Sequence, residues 1–297
     1  MMHIAVDASK VPAVAFERSP GYWQTVGRRF LRDKVAVGAA VVALLLLLLA
    51  VFGPLLAPND PYASSMLKRL KPIGFEGHPL GTDELGRDML SRLMVGARLS
   101  LFMGITPVIC AFVMGSLIGI TAGYAGGRVN SVMMRTIDVF YAFPSVLLAI
   151  ALSGALGAGI TNSLISLTIV FIPPIARVAE SVTTQIRGRD FVDAARASGA
   201  NAFTIVRVHV LGNVLGPIFV YATSLIAVSM ILASGLSFLG LGVKPPEPEW
   251  GLMLNTLRTA IYVQPWIAAL PGVMIFITSI TFNLLADGLR TAMEIKQ

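Results

Sequence analysis

Polar and apolar positions along this chain are sorted into long blocks, not into the short alternations of a soluble fold. Charged residues vanish from 35–59, 99–127, 139–176, 210–243 and 259–286. A helix needs roughly 20 apolar residues to cross a bilayer core, and four of the five blocks fit a single crossing. The block 139–176 is too long for one, and Gly154-Ala-Leu-Gly157-Ala-Gly159 divides it. The pattern predicts an all-α integral membrane protein with six transmembrane helices, near 35–57, 99–122, 136–156, 160–178, 214–239 and 265–286. A tail (1–34), a six-helix membrane domain (35–290) and a short second tail (291–297) complete the expected organisation.

Composition agrees. Of 297 residues 55% are hydrophobic and 13% charged, about half the charge of an ordinary soluble domain, and mean hydropathy is +0.76. Lys68, Arg69, Lys71, Arg87, Arg92, Arg98, Lys244 and Arg258 fall in the segments on one side of the membrane, and the other 15 of the 23 Lys and Arg on the other. The positive-inside rule then predicts both termini in the cytoplasm, with 58–98 outside and 180–212 inside. The net charge of +7 reads as membrane topology; no basic stripe interleaved with aromatics points to nucleic acid. The first apolar run exceeds the roughly 7–15 residues of a signal-peptide core, which predicts an uncleaved first span. Before it, Trp23, Val26 and Phe30 share one face with Arg28, Arg29 and Arg32 elsewhere, the pattern of a short interfacial helix, while residues 1–20 are expected to lack structure. Cys110 is the single cysteine, so no intramolecular disulfide forms.

Small residues recur every fourth position at Ala111, Gly115, Gly119, Gly123 and Gly127, a stripe that admits another backbone, from this chain or from a second subunit. Pro107, Pro144, Pro173, Pro174, Pro217 and Pro271 place a static kink in each of spans two to six.

One segment imitates a phosphate loop. Gly81-Thr-Asp-Glu-Leu-Gly86-Arg87-Asp88 has the glycine spacing of G-x-x-x-x-G-K-[ST], but Arg87 replaces the lysine, Asp88 the magnesium-binding hydroxyl, and Asp83 and Glu84 would repel phosphate. It is expected instead to be an outer-face helix capped by Thr82 or Asp83, with Asp88 and Arg92 as an i,i+4 pair. His3, His78 and His209 lack metal-ligand spacing, so neither a metal site nor a cofactor is expected. Asp138 and Asp287 sit at span edges as candidate proton-relay acids, although Arg135 and Arg290, three residues away, offer local ion pairs.

The most telling segment is the charged break between spans four and five. Asp190 reads as an N-cap and Asp193 at N3 adds negative charge at the positive dipole end. Ala194, Ala195 and Ala197 leave the helix thin, and Gly199 supplies a left-handed stop. Residues 202–211 form a second helix leading back to the membrane. On its own this reads either as a solvated hairpin or as a docking element.

Asp193-Ala-Ala-Arg-Ala-Ser-Gly199 resembles the E-A-A-x-x-x-G loop of bacterial ABC importer permeases. Three more stretches resemble the C-type subunit of the dipeptide, oligopeptide and nickel branch. They are His78-Pro-Leu-Gly-Thr-Asp-Glu-Leu-Gly-Arg-Asp-Met-Leu-Ser-Arg92, Ser237-Phe-Leu-Gly-Leu-Gly-Val-Lys-Pro-Pro-Glu-Pro-Glu-Trp-Gly251, and Pro265-Trp266 through Asn283-Leu-Leu-Ala-Asp287. Asp193 stands where the family has glutamate, and Gly212 where a proline usually follows. The resemblance implies a type I ABC importer permease fold with a cytoplasmic coupling helix built on Asp190, Asp193, Ala194, Ala195 and Gly199.

It further implies a bacterial inner-membrane protein paired with a homologous second permease, two ATP-binding subunits that hold ATP and Mg, and an extracytoplasmic solute-binding protein. The implied solutes are di- or oligopeptides, with nickel and glutathione as branch alternatives. A proton-coupled carrier and a passive channel or scaffold are the competing classes, and neither would need an ATPase. Ser153, Thr161, Asn162, Asn255 and Asn283 are polar positions within or beside spans, suited equally to a path or to helix–helix hydrogen bonds.

Overall fold

The computed structural model describes residues 21–294; the expectation for residues 1–20 lies outside the described residues. Helix α1 (Tyr22–Arg32) is amphipathic, with Val26 buried and Phe30 half-buried while Trp23 stays exposed. Asp33 ends it and caps the next helix, α2 (Lys34–Leu56), accepting from the Val35 and Ala36 N–H groups at 2.9 and 3.1 Å. A long loop then leads to α3 (Met89–Ala125), α4 (Gly127–Tyr141), α5 (Ser145–Leu156) and α6 (Ile160–Arg187). The short α7 (Asp190–Ala197) and α8 (Ala202–Ile205) precede a single π turn, Val206–Val210. The chain continues as α9 (Leu211–Phe238), α10 (Trp250–Thr256), a 3-10 turn and α11 (Pro265–Met293).

Among the described residues five helical runs are long and apolar enough to span: α2, α3, α6, α8 through α9, and α11. The pair α4 and α5 is apolar enough to cross as one unit but is bent by 86°. The single helix expected near 136–156, with a static kink at Pro144, is therefore corrected to two helices that meet at this bend. Pro144 has no N–H to continue a helix and becomes the N-cap of α5, which separates the two halves at Ala142–Pro144.

The centre of the bundle is α3 against α6. Gly119 and Gly123 face α6 so closely that a Cβ on Gly123 would lie 2.7 Å from the Glu180 carbonyl; from Gly115 to Gly123 the small-residue stripe is thus spent inside this chain, while Gly127 is exposed. Around it Leu167, Phe171, Ile175 and Ile218 form one core, while Met89, Trp250, Met253, Leu257 and Ile267 form a second near the other end of α3. Only 28% of the apolar stretch of α2 is buried within the chain, against 50% for α6, so α2 is peripheral and α6 central.

Three local expectations change. Residues 81–88 are a loop, not a helix: the cap of α3 is Asp88, whose carboxylate accepts from the Ser91 N–H (2.9 Å), because Gly81 and Gly86 take left-handed conformations that a helix cannot contain. The helix after residue 202 does not stop at Gly212 but runs through the π turn into α9. Asp138 pairs with Arg177 across the α4–α6 contact, not with Arg135 on its own helix.

Candidate functional site

Helix α7 starts one residue earlier than the sequence implies. Arg189 is the N-cap, without a side-chain cap bond, so Asp190 is the first helical residue and Asp193 stands one turn further in. The cap assignment to Asp190 is corrected accordingly; both carboxylates still sit in the first turn, where the positive end of the helix dipole favours them. Asp193 also accepts from Arg196 Nη1 at 2.7 Å, an exposed pair that helps fix the helix surface.

Gly199 meets its expectation. Its φ is +84°, its N–H donates to the Arg196 carbonyl (3.1 Å), and the Ala200 N–H donates to the Ala195 carbonyl (3.1 Å). These are the two bonds of a Schellman C-cap. Immediately after, Asn201 Oδ1 accepts from the Thr204 N–H (2.8 Å) and caps α8. That Asn-x-x-Thr signal was present in the sequence but unused.

The alanines divide. Ala194 and Ala197 are exposed, whereas Ala195 is half-buried and packs against the main core, of which Val192, Ile205 and Val210 are members. Val192 is fully buried. The α7 helix is thus pinned by Val192 and Ala195 and offers Asp190, Asp193, Ala194 and Ala197 outward. Phe191 and the His209 ring, 6.3 Å apart between centroids, tie it to the π turn. Exposed Phe203, at 74%, stands on the same loop.

At the opposite ends of these helices, the 57–88 loop is organised by charge. Asp83 accepts from the Arg87 Nε (2.6 Å) and pairs with Arg92 Nε at 3.3 Å, replacing the expected Asp88–Arg92 pair. Asp88 instead faces His78 Nδ1 at 3.0 Å, and Lys68 Nζ lies 3.2 Å from His78 Nε2. An ammonium only donates, so Nε2 accepts and Nδ1 carries the proton toward Asp88. Near it, the buried carboxylate of Glu249 caps α10, accepting from Gly251 and Leu252 N–H groups, both at 2.8 Å. Burial pushes its pKa up from the ordinary carboxylate value, against the opposing pull of those hydrogen bonds. The neighbouring Trp250 Nε1 donates to the Leu93 carbonyl (3.0 Å).

Of the five polar span residues, Asn162 and Asn255 serve structure and Thr161 is exposed. Asn162 donates to the Leu156 and Gly157 carbonyls (2.8 and 2.9 Å), and Asn255 donates to the Phe238 carbonyl. Ser153 is buried without a hydrogen-bond partner; Asn283 is exposed on α11. Among the described residues no group of three His, Cys, Asp or Glu side chains is placed to hold a metal.

Comparison with known proteins accounts for this arrangement. Residues 115–296 match the family described as binding-protein-dependent transport system inner membrane component, and residues 21–72 match the N-terminal TM domain of oligopeptide transport permease C. The glutathione transport system permease protein GsiD of Pectobacterium atrosepticum is 40% identical over 274 residues, 92% of this chain and 91% of that one. The di/tripeptide transport system permease protein DppC of Pseudomonas aeruginosa is 40% identical over 280 residues, 93% and 91% of the two chains. Among solved structures, an inward-facing MetNI methionine ABC transporter chain aligns with TM-score 0.57 at 19% identity, covering 69% of this chain and 97% of its own, which shows a shared fold. The chain belongs to the family of binding-protein-dependent transport-system inner-membrane components, as an ABC importer permease of the oligopeptide permease C type.

Proposed function

We propose that this permease forms one half of a translocation path for small peptides and that α7 is the element through which separate ATP-binding subunits drive it. Both termini and the 188–201 loop then lie in the cytoplasm, the 57–88 loop faces the outside, and a homologous second permease completes the path. A solute-binding protein delivers the solute from outside. ATP and Mg are held by the partner subunits, because the one glycine-rich segment with phosphate-loop spacing is folded around internal ion pairs. Peptides of two or three residues, or glutathione, are the solutes that the named relatives support.

The observation that carries the coupling assignment is the contrast within α7. One side is anchored by fully buried Val192 and half-buried Ala195, and its end is locked by the Gly199 cap, while the other side holds two exposed alanines and exposed Asp190 and Asp193, the latter met among the described residues only by Arg196 of the same helix. A helix of eight residues is too short to persist by propensity; here Val192 and Ala195 anchor one face, the C-terminus is capped, and the other face is left small and exposed, which fits insertion into a groove.

The exposed position for a blocking substitution is Ala194, since Ala195→Arg would also disturb the core. Ala194→Arg and Gly199→Val are expected to reach the membrane at wild-type levels, to lose solute-stimulated ATP hydrolysis in the reconstituted complex, and to abolish uptake. Uptake by both variants at the rate of Glu76→Ala, an exposed change in the other loop, would refute the assignment. Labelling of a cysteine introduced at Asn201 from the external side would refute the orientation.

A further inference from the structure

Asp287 is the acidic group in the spans that the fold leaves over. The sequence offers Arg290 as its partner, yet Arg290 Nε pairs with Glu294 at 3.3 Å, and the Asp287 carboxylate has no partner among the described residues. It lies on the wall of a cleft of about 490 Å³ between α9 and α11, lined also by Pro217, Val220, Tyr221, Ser224 and Met293. That volume is in the range of small-ligand sites, roughly 300–1,000 Å³.

Glu294 is met by two arginines, its carboxylate by Arg290 and its carbonyl by Arg29 Nη1 at 3.1 Å, so Asp287 is the lining carboxylate left to take a cation. Asp287 and Arg290, three residues apart on one helix, present their groups on the same side with Cβ atoms about 5–6 Å apart. The Arg290–Glu294 pair is mostly exposed, 71% and 69%, and such pairs contribute little, so Arg290 is free to exchange Glu294 for another anion. Opposite, Tyr221 supplies a hydroxyl and a ring, while Val220, Pro217 and Met293 supply an apolar wall.

We propose that the cleft between α9 and α11 binds a molecule carrying a primary ammonium a few ångströms from an anionic group, with Asp287 taking the ammonium and Arg290 the anion. Two residues of extended peptide reach at most about 7 Å, so a zwitterionic dipeptide matches both the separation and the volume, with its side chains on the apolar wall. An ethanolamine phospholipid headgroup carries the same pair of charges and is the other source of this chemistry. The dipeptide version rests on the peptide-permease reading above and places the site at the cytoplasmic end of the path, where a solute leaves.

The test uses the complex of both permeases and both ATP-binding subunits in nanodiscs, without the solute-binding protein. Binding of tritiated Ala-Ala is measured per assembled complex, with N-acetyl-Ala-Ala as the probe that lacks the ammonium. The wild type is expected to bind Ala-Ala, N-acetyl-Ala-Ala to compete at least about tenfold more weakly, and Asp287→Asn to weaken Ala-Ala binding by about tenfold. A second arm measures, by native mass spectrometry, phosphatidylethanolamine retained by the permease chain alone. Retention that falls with Asp287→Asn, with Ala-Ala binding absent, assigns the site to the lipid headgroup. The inference is overturned if acetylation does not affect competition and Asp287→Asn changes neither Ala-Ala binding nor lipid retention. A wild-type chain that fails to assemble with ATP-binding subunits would contradict the functional reading, and the lipid arm would still decide the role of Asp287.

Discussion

The loops at 57–88 and 188–201 are both charged breaks in an apolar chain, yet they use charge in opposite ways. In the first, Asp83, Arg87, Arg92, His78 and Asp88 are all buried and satisfy one another or the backbone. In the second, Asp190, Asp193 and Arg196 are exposed, and Val192 is the fully buried side chain of α7. Buried charges must be paired because their desolvation is costly, so the first loop is closed on itself and rigid. Exposed carboxylates on an alanine-rich helix cost nothing to leave free and keep a surface available. The lesson is that a conspicuous charged motif marks an interface only where its charges stay on the surface and do not close the fold.

The largest effect should come from opening the closed loop. Asp83→Ala leaves the Arg87 and Arg92 guanidinium groups buried without their shared carboxylate, an expected loss of about 3–5 kcal/mol. Thermal unfolding of the purified permease should shift sharply down, and little protein should reach the membrane. An unchanged melting temperature would mean that the network is not structural and would break the comparison.

Next is Gly199→Val. A β-branched residue at φ +84° strains the cap by about 1–2 kcal/mol, but few buried groups depend on it. The melting temperature should fall only slightly while ATPase association and uptake are lost. This dissociation of stability from coupling is what separates the two loops.

How much of this was legible beforehand follows from the range of each interaction. The uncharged runs gave four spans directly and a fifth once 139–176 was divided at its glycines, and Gly199 gave its own cap, since these depend on nearest neighbours in sequence. The bend at Ala142–Pro144 was hidden because no charge interrupts that stretch, and Pro144 alone is compatible with a mild kink. The partnership of Asp83 with Arg92, of Asp138 with Arg177 and of Asp88 with His78 depends on chain reversals that no local spacing reports. For the same reason Ala194 and Ala195 look equivalent in sequence, whereas the core beneath α7 separates them.

A smaller effect is expected at Asn201. Because its side chain caps α8, Asn201→Ala should cost about 1 kcal/mol and weaken coupling partially, which hydrolysis assays on the complex can resolve. Full wild-type coupling in that variant would show that the orientation of α7 does not depend on the turn that follows it.

The smallest effect concerns pH on the side of the closed loop. The Glu249 pKa is raised by burial, so the folded state holds its proton above the pH at which the unfolded chain releases it. Stability from this site is therefore full below the ordinary carboxylate value and declines as pH rises toward the raised one. Melting curves of the wild type from pH 4 upward should show this decline, and Glu249→Gln should flatten it while losing one cap bond. A wild-type profile that rises over the same window would contradict the assigned direction.

The central claim is that α7 docks on an ATP-binding subunit, and a photocrosslinker placed at 194 tests it most directly. With benzoylphenylalanine at position 194 in the assembled transporter, irradiation should attach this chain to an ATP-binding subunit, while the same group at position 76 should not. No attachment to that subunit from 194, in a complex that otherwise hydrolyses ATP and imports solute, would contradict the account.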